Sequence, residues 1–280
     1  MTEKRTVFIS GTPYTVTISS EQEVLSAAYA AGGAIIGLWD KNRSGQSLAP
    51  AEYVVECAAD EEFLERVVRR RLHMPWIIAE TERLVIREFT AEDAAHMILE
   101  DAGPGDEIFH SREKLTAYID SQYRFFEYGI WAVVEKESMA VIGKAGLFQP
   151  TAEFLNGEIQ QTEFRQAEIQ QTESRQAEYS PLQKKEDTPL ELGYHIFRPF
   201  RHMGYAREAA AAIRDYAHEV LGARLCAMIQ TKNQASRAVA EGLGMECIGR
   251  MNIIGTGIQS SEEPLLYAER WTSRPDKADS

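Results

Sequence analysis

The stretch Glu191 to Ala206, ELGYHIFRPFRHMGYA, sets a carboxylate, an imidazole and a glycine-bearing turn side by side. Leu192, Tyr194 and Ile196 alternate as one face of a β-strand, so Glu191 and His195 share the opposite face. Pro199 stops the strand. Beyond it, Ala206, Ala210, Ile213, Ala217 and Leu221 recur at helical spacing, which opens a helix near Gly204 with its first N–H groups unpaired. Gly204 lets backbone approach a ligand closely and Ala206 keeps side-chain bulk away. The helix dipole favours negative charge at that end, so the chemistry this turn offers is anion binding, with a pyrophosphate as a suitable guest. Either Glu191 or His195 serves as a proton acceptor only where its surroundings bring its pKa toward neutrality.

The elements that must hold these residues are legible on both sides. Upstream, Leu84 to Glu88 reads as a strand, Ala91 to Leu99 as a helix, and Glu113 to Tyr128 as a second helix ended by Gly129. Leu115, Tyr118, Ile119, Tyr123 and Phe126 are spaced to share one face of it. Trp131 to Glu135 and Val141 to Leu147 follow as a hairpin around Lys136-Glu-Ser138. Downstream come Asn233-Gln-Ala-Ser236, Gly242-Leu-Gly244-Met245 and a strand reaching Gly249-Arg250.

Before Arg71-Leu-His-Met-Pro-Trp76, the chain reads as a separate small α/β layer. Tyr14 to Ser19, Ala34 to Trp39 and Tyr53 to Cys57 are its strands, predicted to be parallel. Glu21 to Ala31 and a helix capped by Asp60 and running through Arg71 connect and cover them.

The pattern Gln/Arg-x-x-Gly-x-Gly/Ala between a strand and a long helix resembles the acetyl-coenzyme A loop of the GNAT acetyltransferases. Glu82-Arg-Leu-Val-Ile-Arg-Glu-Phe-Thr-Ala-Glu-Asp93 is similar to the opening strand and first helix cap of the ribosomal-protein (Rim-type) and related amine acetyltransferases. The Asn233 to Arg250 segments resemble that group's ending, so the likeness spans about Ile77 to Trp271. It implies an α+β GNAT fold over 76–272, a mixed central sheet flanked by helices, with an insert at 150–189 and a tail at 273–280.

It also implies acetyl-coenzyme A as co-substrate, no metal, and an acetyl group passed to a primary amine of a small molecule or peptide by direct attack. In that likeness the backbone of His202, Met203, Gly204, Tyr205 and Ala206, with Arg201, holds the pyrophosphate. Ile196, Phe197 and Arg198 pair with the pantetheine amides, and Asn233 reaches the same arm. Glu191 stands where many relatives keep a carboxylate base on the fourth strand. Phe109, Tyr123, Phe126 and Tyr128 are candidate lining residues of the acceptor pocket, with plain core packing as the alternative reading for most of them.

Two departures matter. Seven residues after Asn233, where GNAT enzymes often carry a thiolate-protonating Tyr, stands Ala240, so the resemblance passes that role to Ser236. Rim-type enzymes place a catalytic Glu nineteen residues after that serine, and here Gly255 occupies the position. The broader acyltransferase class is implied, without identity to a ribosomal-protein acetyltransferase. A non-catalytic acetyl-coenzyme A sensor is the alternative reading.

Residues 1–75 loosely resemble the latter half of a haloacid-dehalogenase-type core. They carry no Asp-x-Asp pair, and Ser19-Ser20 stands where a metal-binding acid belongs. A degenerate, non-catalytic docking or regulatory module is therefore the expectation.

Within the insert, Glu158 to Ala167 is repeated as Glu168 to Ala177 with a single change. Gln, Glu and Arg dominate it, so disorder or a solvated helix is expected, with a lid or an oligomer contact, such as a homodimer, as options. The formal charge of −13 opposes binding a polyanion and favours a cationic amine. No membrane span or signal peptide is read, and the unpatterned Cys57, Cys226 and Cys247 are taken as small core residues of a reducing, cytoplasmic compartment.

Overall fold

The computed structural model describes residues 1–57, 59–98, 106–150, 189–250 and 264–269. The repeat-bearing part of the insert, residues 151–188, lies outside them, as do the end of the helix expected to reach Leu99, the Gly255 position and the tail. The chain divides into two compact units, Met1–Trp76 and Ile77–Ser280.

In the first unit, β1 (Thr2–Ile9), β2 (Thr12–Ser19), β3 (Ala34–Leu38) and β4 (Val54–Val55) lie in the order β1-β2-β3-β4. Helices α1 (Gln22–Ala30) and α2 (Glu61–Arg71) complete it, with the Asp60 carboxylate capping α2 through the Phe63 N–H at 2.8 Å. The layer is not wholly parallel as expected. β1 pairs antiparallel with β2 through a two-residue turn in which Ser10 and Gly11 both take positive φ, and only β2, β3 and β4 run parallel. The alternating, largely charged Thr2–Arg5 half of β1 conceals it from a hydrophobic scan.

The second unit is built on an eight-stranded sheet. Its strands are β5 (Ile77–Glu80), β6 (Leu84–Arg87), β7 (Ile130–Glu135), β8 (Val141–Phe148), β9 (Leu190–Ile196), β10 (Leu225–Ile229), β11 (Met245–Arg250) and β12 (Leu265–Glu269). The order is β11-β12-β10-β9-β8-β7-β6-β5, antiparallel except at β9 and β10. This is the mixed sheet flanked by helices that the sequence implied.

On one face lie a 3-10 helix (Ala91–His96) and α3 (Arg112–Tyr118), which continues through a π-turn, Ile119–Tyr123, to Phe126. The other face carries α4 (Tyr205–Tyr216), where Trp131, fully buried, meets Tyr216 edge-on at 5.5 Å. α5 (Gln234–Gly242) packs beside α4 over β10 and β11. Gly146 is required where β8 passes β7, since a Cβ there would overlap the Gly129 carbonyl.

The first of the two connecting helices is shorter and tighter than its sequence pattern predicts, because Thr90 and Asp93 close a capping box around a single 3-10 segment. Asp93, almost fully buried, accepts both guanidinium nitrogens of Arg87 at 2.7 and 2.9 Å and the Thr90 N–H at 2.7 Å. Burial alone would raise its pKa, but these donors outweigh it and hold the carboxyl below its ordinary value. Asp93→Ala should therefore destabilise the second unit by about 2 kcal/mol, by removing the carboxylate from the half-buried Arg87 guanidinium and from the Thr90 N–H. The urea midpoint of that unit checks this, and a loss under about 1 kcal/mol would contradict the bracing role.

Candidate active site

The turn from Arg201 to Ala206 has the geometry of an anion cradle. His202 and Gly204 both take positive φ, at 64° and 84°, and Gly204 caps α4 without a side-chain bond. Alternating left-handed residues of this kind point successive N–H groups inward. Among the described residues, no backbone hydrogen bond outside helices and strands uses the N–H of His202, Met203, Gly204, Tyr205 or Ala206. A Cβ on Gly204 would have only a guanidinium nitrogen of Arg83 within reach, so the approach to these donors is open.

Strand β9 connects that cradle to a split in the sheet. β9 and β10 pair only at Leu225↔Leu190 and Cys226↔Glu191, although the two strands continue to Ile196 and Ile229. Leu190 donates its N–H to Arg224 O at 2.8 Å, so by alternation the backbone groups of Leu192, Tyr194 and Ile196 turn toward the same open side. Met228 N–H would be the next ladder donor to β9. That N–H acts instead on the Glu191 carboxylate, whose pKa it lowers.

Glu191 thus sits at the apex of the fork, 6% exposed. Its Oε2 is buried with no hydrogen-bond partner among the described residues. Desolvation pushes its pKa up to about 7, only partly offset by the Met228 N–H. On the same face, the Phe148 ring fills the space over Gly193, where a Cβ would clash with it.

Asn233 and Ser236 meet at the start of α5, where Asn233 Oδ1 accepts the Ser236 N–H at 3.1 Å. That leaves the Asn233 amide nitrogen to point elsewhere. Tyr194, read from the sequence only as part of the strand's alternating face, crosses the fork and donates its hydroxyl to the Ser236 carbonyl at 3.2 Å. Burial raises its pKa.

Arg201 turns back onto the strand end. Its Nε donates to Ile196 O at 2.8 Å and a terminal nitrogen lies 2.9 Å from His195 Nε2. A guanidinium has no acceptor, so His195 receives that bond and its Nε2 is committed. The Ile196 carbonyl is likewise occupied. Phe197 is buried and Arg198 starts a short 3-10 turn, Arg198–Phe200.

Several sequence expectations need correction. Phe109 and Tyr123 are core, not lining. Tyr123 donates to Ile130 O at 2.5 Å and accepts Phe89 N–H, fixing the start of β7 together with Tyr118. Phe126 is exposed, because the π-turn rotates the last helical turn off the apolar face, and it stacks beside Tyr128 at 5.9 Å. Of the cysteines only Cys226 is buried, and its thiol pKa is raised by burial and by Glu191 and Glu269; Cys57 and Cys247 are exposed. Among the described residues no group of three or more His, Cys, Asp or Glu side chains is arranged to hold a metal, and no helix is long and apolar enough to cross a membrane.

The family model for the acetyltransferase (GNAT) domain matches residues 83–246. The uncharacterized protein YkkB of Bacillus subtilis (strain 168) is 41% identical over 66 residues, which take in 23% of this chain and only 38% of that relative's length. Among solved structures, a putative GnaT-family acetyltransferase from Bordetella pertussis is 16% identical, with 69% of this chain and 98% of that one covered and a TM-score of 0.48. The ribosomal-protein-S5-alanine acetyltransferase from Vibrio fischeri is 15% identical over 68% of this chain and 94% of that one, at 0.47. RimL, a ribosomal L7/L12 alpha-N-protein acetyltransferase, in complex with coenzyme A is 12% identical over 69% and 97%, at 0.48. These comparisons give the haloacid-dehalogenase likeness of the first unit no support, and the family match begins only at residue 83.

The Glu191 environment makes a prediction about stability. Its folded pKa lies above that of an unfolded glutamate, so the native state retains the proton between roughly pH 4 and 7 and loses stability as pH rises through that window. The full loss amounts to about 3 kcal/mol. Glu191→Gln does not titrate, so its melting temperature should gain on that of the native protein from pH 5 to pH 8. Melting curves that stay parallel across that range would contradict the burial assigned to Glu191.

Proposed function

As the chain belongs to the GNAT acetyltransferase family and is on that ground an acyltransferase, we propose that it moves the acetyl group of acetyl-coenzyme A to a primary amine of a small molecule or peptide. The observation that carries this reading is the placement of a buried carboxylate with a pKa of about 7 at the apex of a fork whose other end opens on an anion cradle.

In this reading the pyrophosphate rests on the N–H groups of His202 to Ala206, and the pantetheine arm lies along β9 with the exposed backbone of Leu192, Tyr194 and Ile196. The Asn233 amide nitrogen adds a donor to the arm, and the thioester arrives near Glu191. An amine enters as its ammonium ion, and the Glu191 carboxylate accepts the proton that must leave before nitrogen can attack. The nitrogen lone pair adds to the thioester carbonyl, the C–S bond breaks as the carbonyl re-forms, and the sulfur leaves as a thiolate that takes up the second proton the nitrogen sheds, giving the amide and the free thiol. The N-terminus of α5 favours that negative charge, and in this reading the Ser236 hydroxyl meets it. His195, already engaged by Arg201, is the weaker base.

The test is a panel of primary amines followed by thiol release. With an accepted amine, Glu191→Gln should lower kcat by about a hundred-fold, with the deficit shrinking at high pH where free amine forms unaided. Ser236→Ala should lower kcat with no such rescue. Gly204→Glu, which places bulk and charge in a left-handed position, should abolish the thermal stabilisation given by acetyl-coenzyme A. Unchanged turnover in both catalytic variants would refute the assigned roles. Tight coenzyme binding without acetylation of any amine would favour the sensor reading.

A further inference from the structure

Arg83 belongs to the Thr81-Glu-Arg83 turn between β5 and β6, far in sequence from the cradle, yet its guanidinium is built into it. Nη1 donates to the Met203 carbonyl at 2.9 Å, Nε donates to Glu208 Oε2 at 2.8 Å, and Nη2 lies 2.6 Å from the same oxygen. The guanidinium carbon Cζ lies over the Tyr205 ring, 4.5 Å from its centre. The other carboxylate oxygen of Glu208 accepts the Thr81 hydroxyl at 2.5 Å and the Arg83 N–H at 3.0 Å.

These contacts act on the cradle in two ways. Binding the Met203 carbonyl keeps an acceptor turned away from a place where only donors help an anion. Pairing Glu208 neutralises a carboxylate that stands in the first turn of α4, next to the proposed pyrophosphate site. Left unpaired, that carboxylate would repel a second anion at the same helix end. One planar guanidinium reaches the Glu208 Oε2 and the Met203 carbonyl at the same time, a fixed arrangement of donors that lysine does not reproduce.

We propose that Arg83, with Thr81 and Glu208, is a positioning device for the coenzyme's pyrophosphate, acting through the Met203–Tyr205 backbone without touching the reacting atoms. This inference rests on the acetyl-coenzyme A reading above, and it is tested with two acetyl donors. Acetyl-pantetheine carries the thioester and the arm but no pyrophosphate.

In the native protein, kcat/KM for acetyl-coenzyme A should exceed that for acetyl-pantetheine. Arg83→Gln should reduce that preference about ten-fold, through KM for acetyl-coenzyme A. Arg83→Lys should recover only part of it. The double variant Arg83→Gln/Glu208→Gln should recover more, because the unpaired carboxylate is gone. An equal loss with both donors would mark Arg83 as a fold brace only and overturn the inference, as would an unmoved preference. If the native protein uses neither donor, the acetyl-coenzyme A reading fails and this inference falls with it. Native use of acetyl-coenzyme A with an unaffected Arg83→Gln overturns the inference alone.

Discussion

The early end of the pairing between β9 and β10 is the constraint around which the second unit is arranged. β9 and β10 pair only at Leu190 and Glu191, and where a parallel ladder would next carry Met228 N–H onto β9 the pairing has ended, with the Glu191 carboxylate buried at that point. An otherwise continuous sheet is left with an unsatisfied edge in its interior, a situation proteins seldom leave without a partner. Burial at that point takes Glu191 out of water and pushes its pKa up to about 7 against the lowering effect of the Met228 N–H, so the residue at the end of the ladder is also one suited to accept a proton near neutrality.

The remaining elements are arranged around that split. β8 pairs β9 on its other side from Glu191 through Ile196 and keeps it straight. α4 begins just after β9 ends, so the strand's polar edge leads directly to a helix terminus rich in unpaired donors. From Glu191 to Ile196 the strand covers roughly 16 Å at the usual rise per residue, which separates the proton acceptor from the anion cradle by the length of an extended arm. Across the fork, Tyr194 on the Ser236 carbonyl ties β9 to α5.

What the sequence disclosed was local. The alternation in Leu192, Tyr194 and Ile196, the stop at Pro199 and the glycine at the head of α4 each encode their conformation within a few residues, and the structure has β9, the turn and α4 in those places. The GNAT likeness was carried by such short patterns too. What escaped depended on distant partners. Arg83 reads as one residue of a strand motif until Glu208, 125 positions away, is brought beside it. β12 closes the sheet between β10 and β11 although nothing in Leu265–Glu269 names its neighbours. The exposure of Cys57 and Cys247 and the outward turn of Phe126 follow from where edges and a π-turn fall, which residue type alone does not encode. Glu191 was legible as a strand carboxylate, but its burial and its place at the end of the β9–β10 pairing were not.

The claim at the centre is that the fork is the coenzyme's seat. Amide hydrogen exchange of the protein with and without acetyl-coenzyme A tests it most directly, since a ligand bonded along β9 and in the cradle must slow exchange at those amides. The account predicts protection of the Tyr194 and Ile196 amides together with those of His202 to Ala206, and little change in the first unit. Protection located elsewhere, or none along β9 at saturating coenzyme, would contradict it.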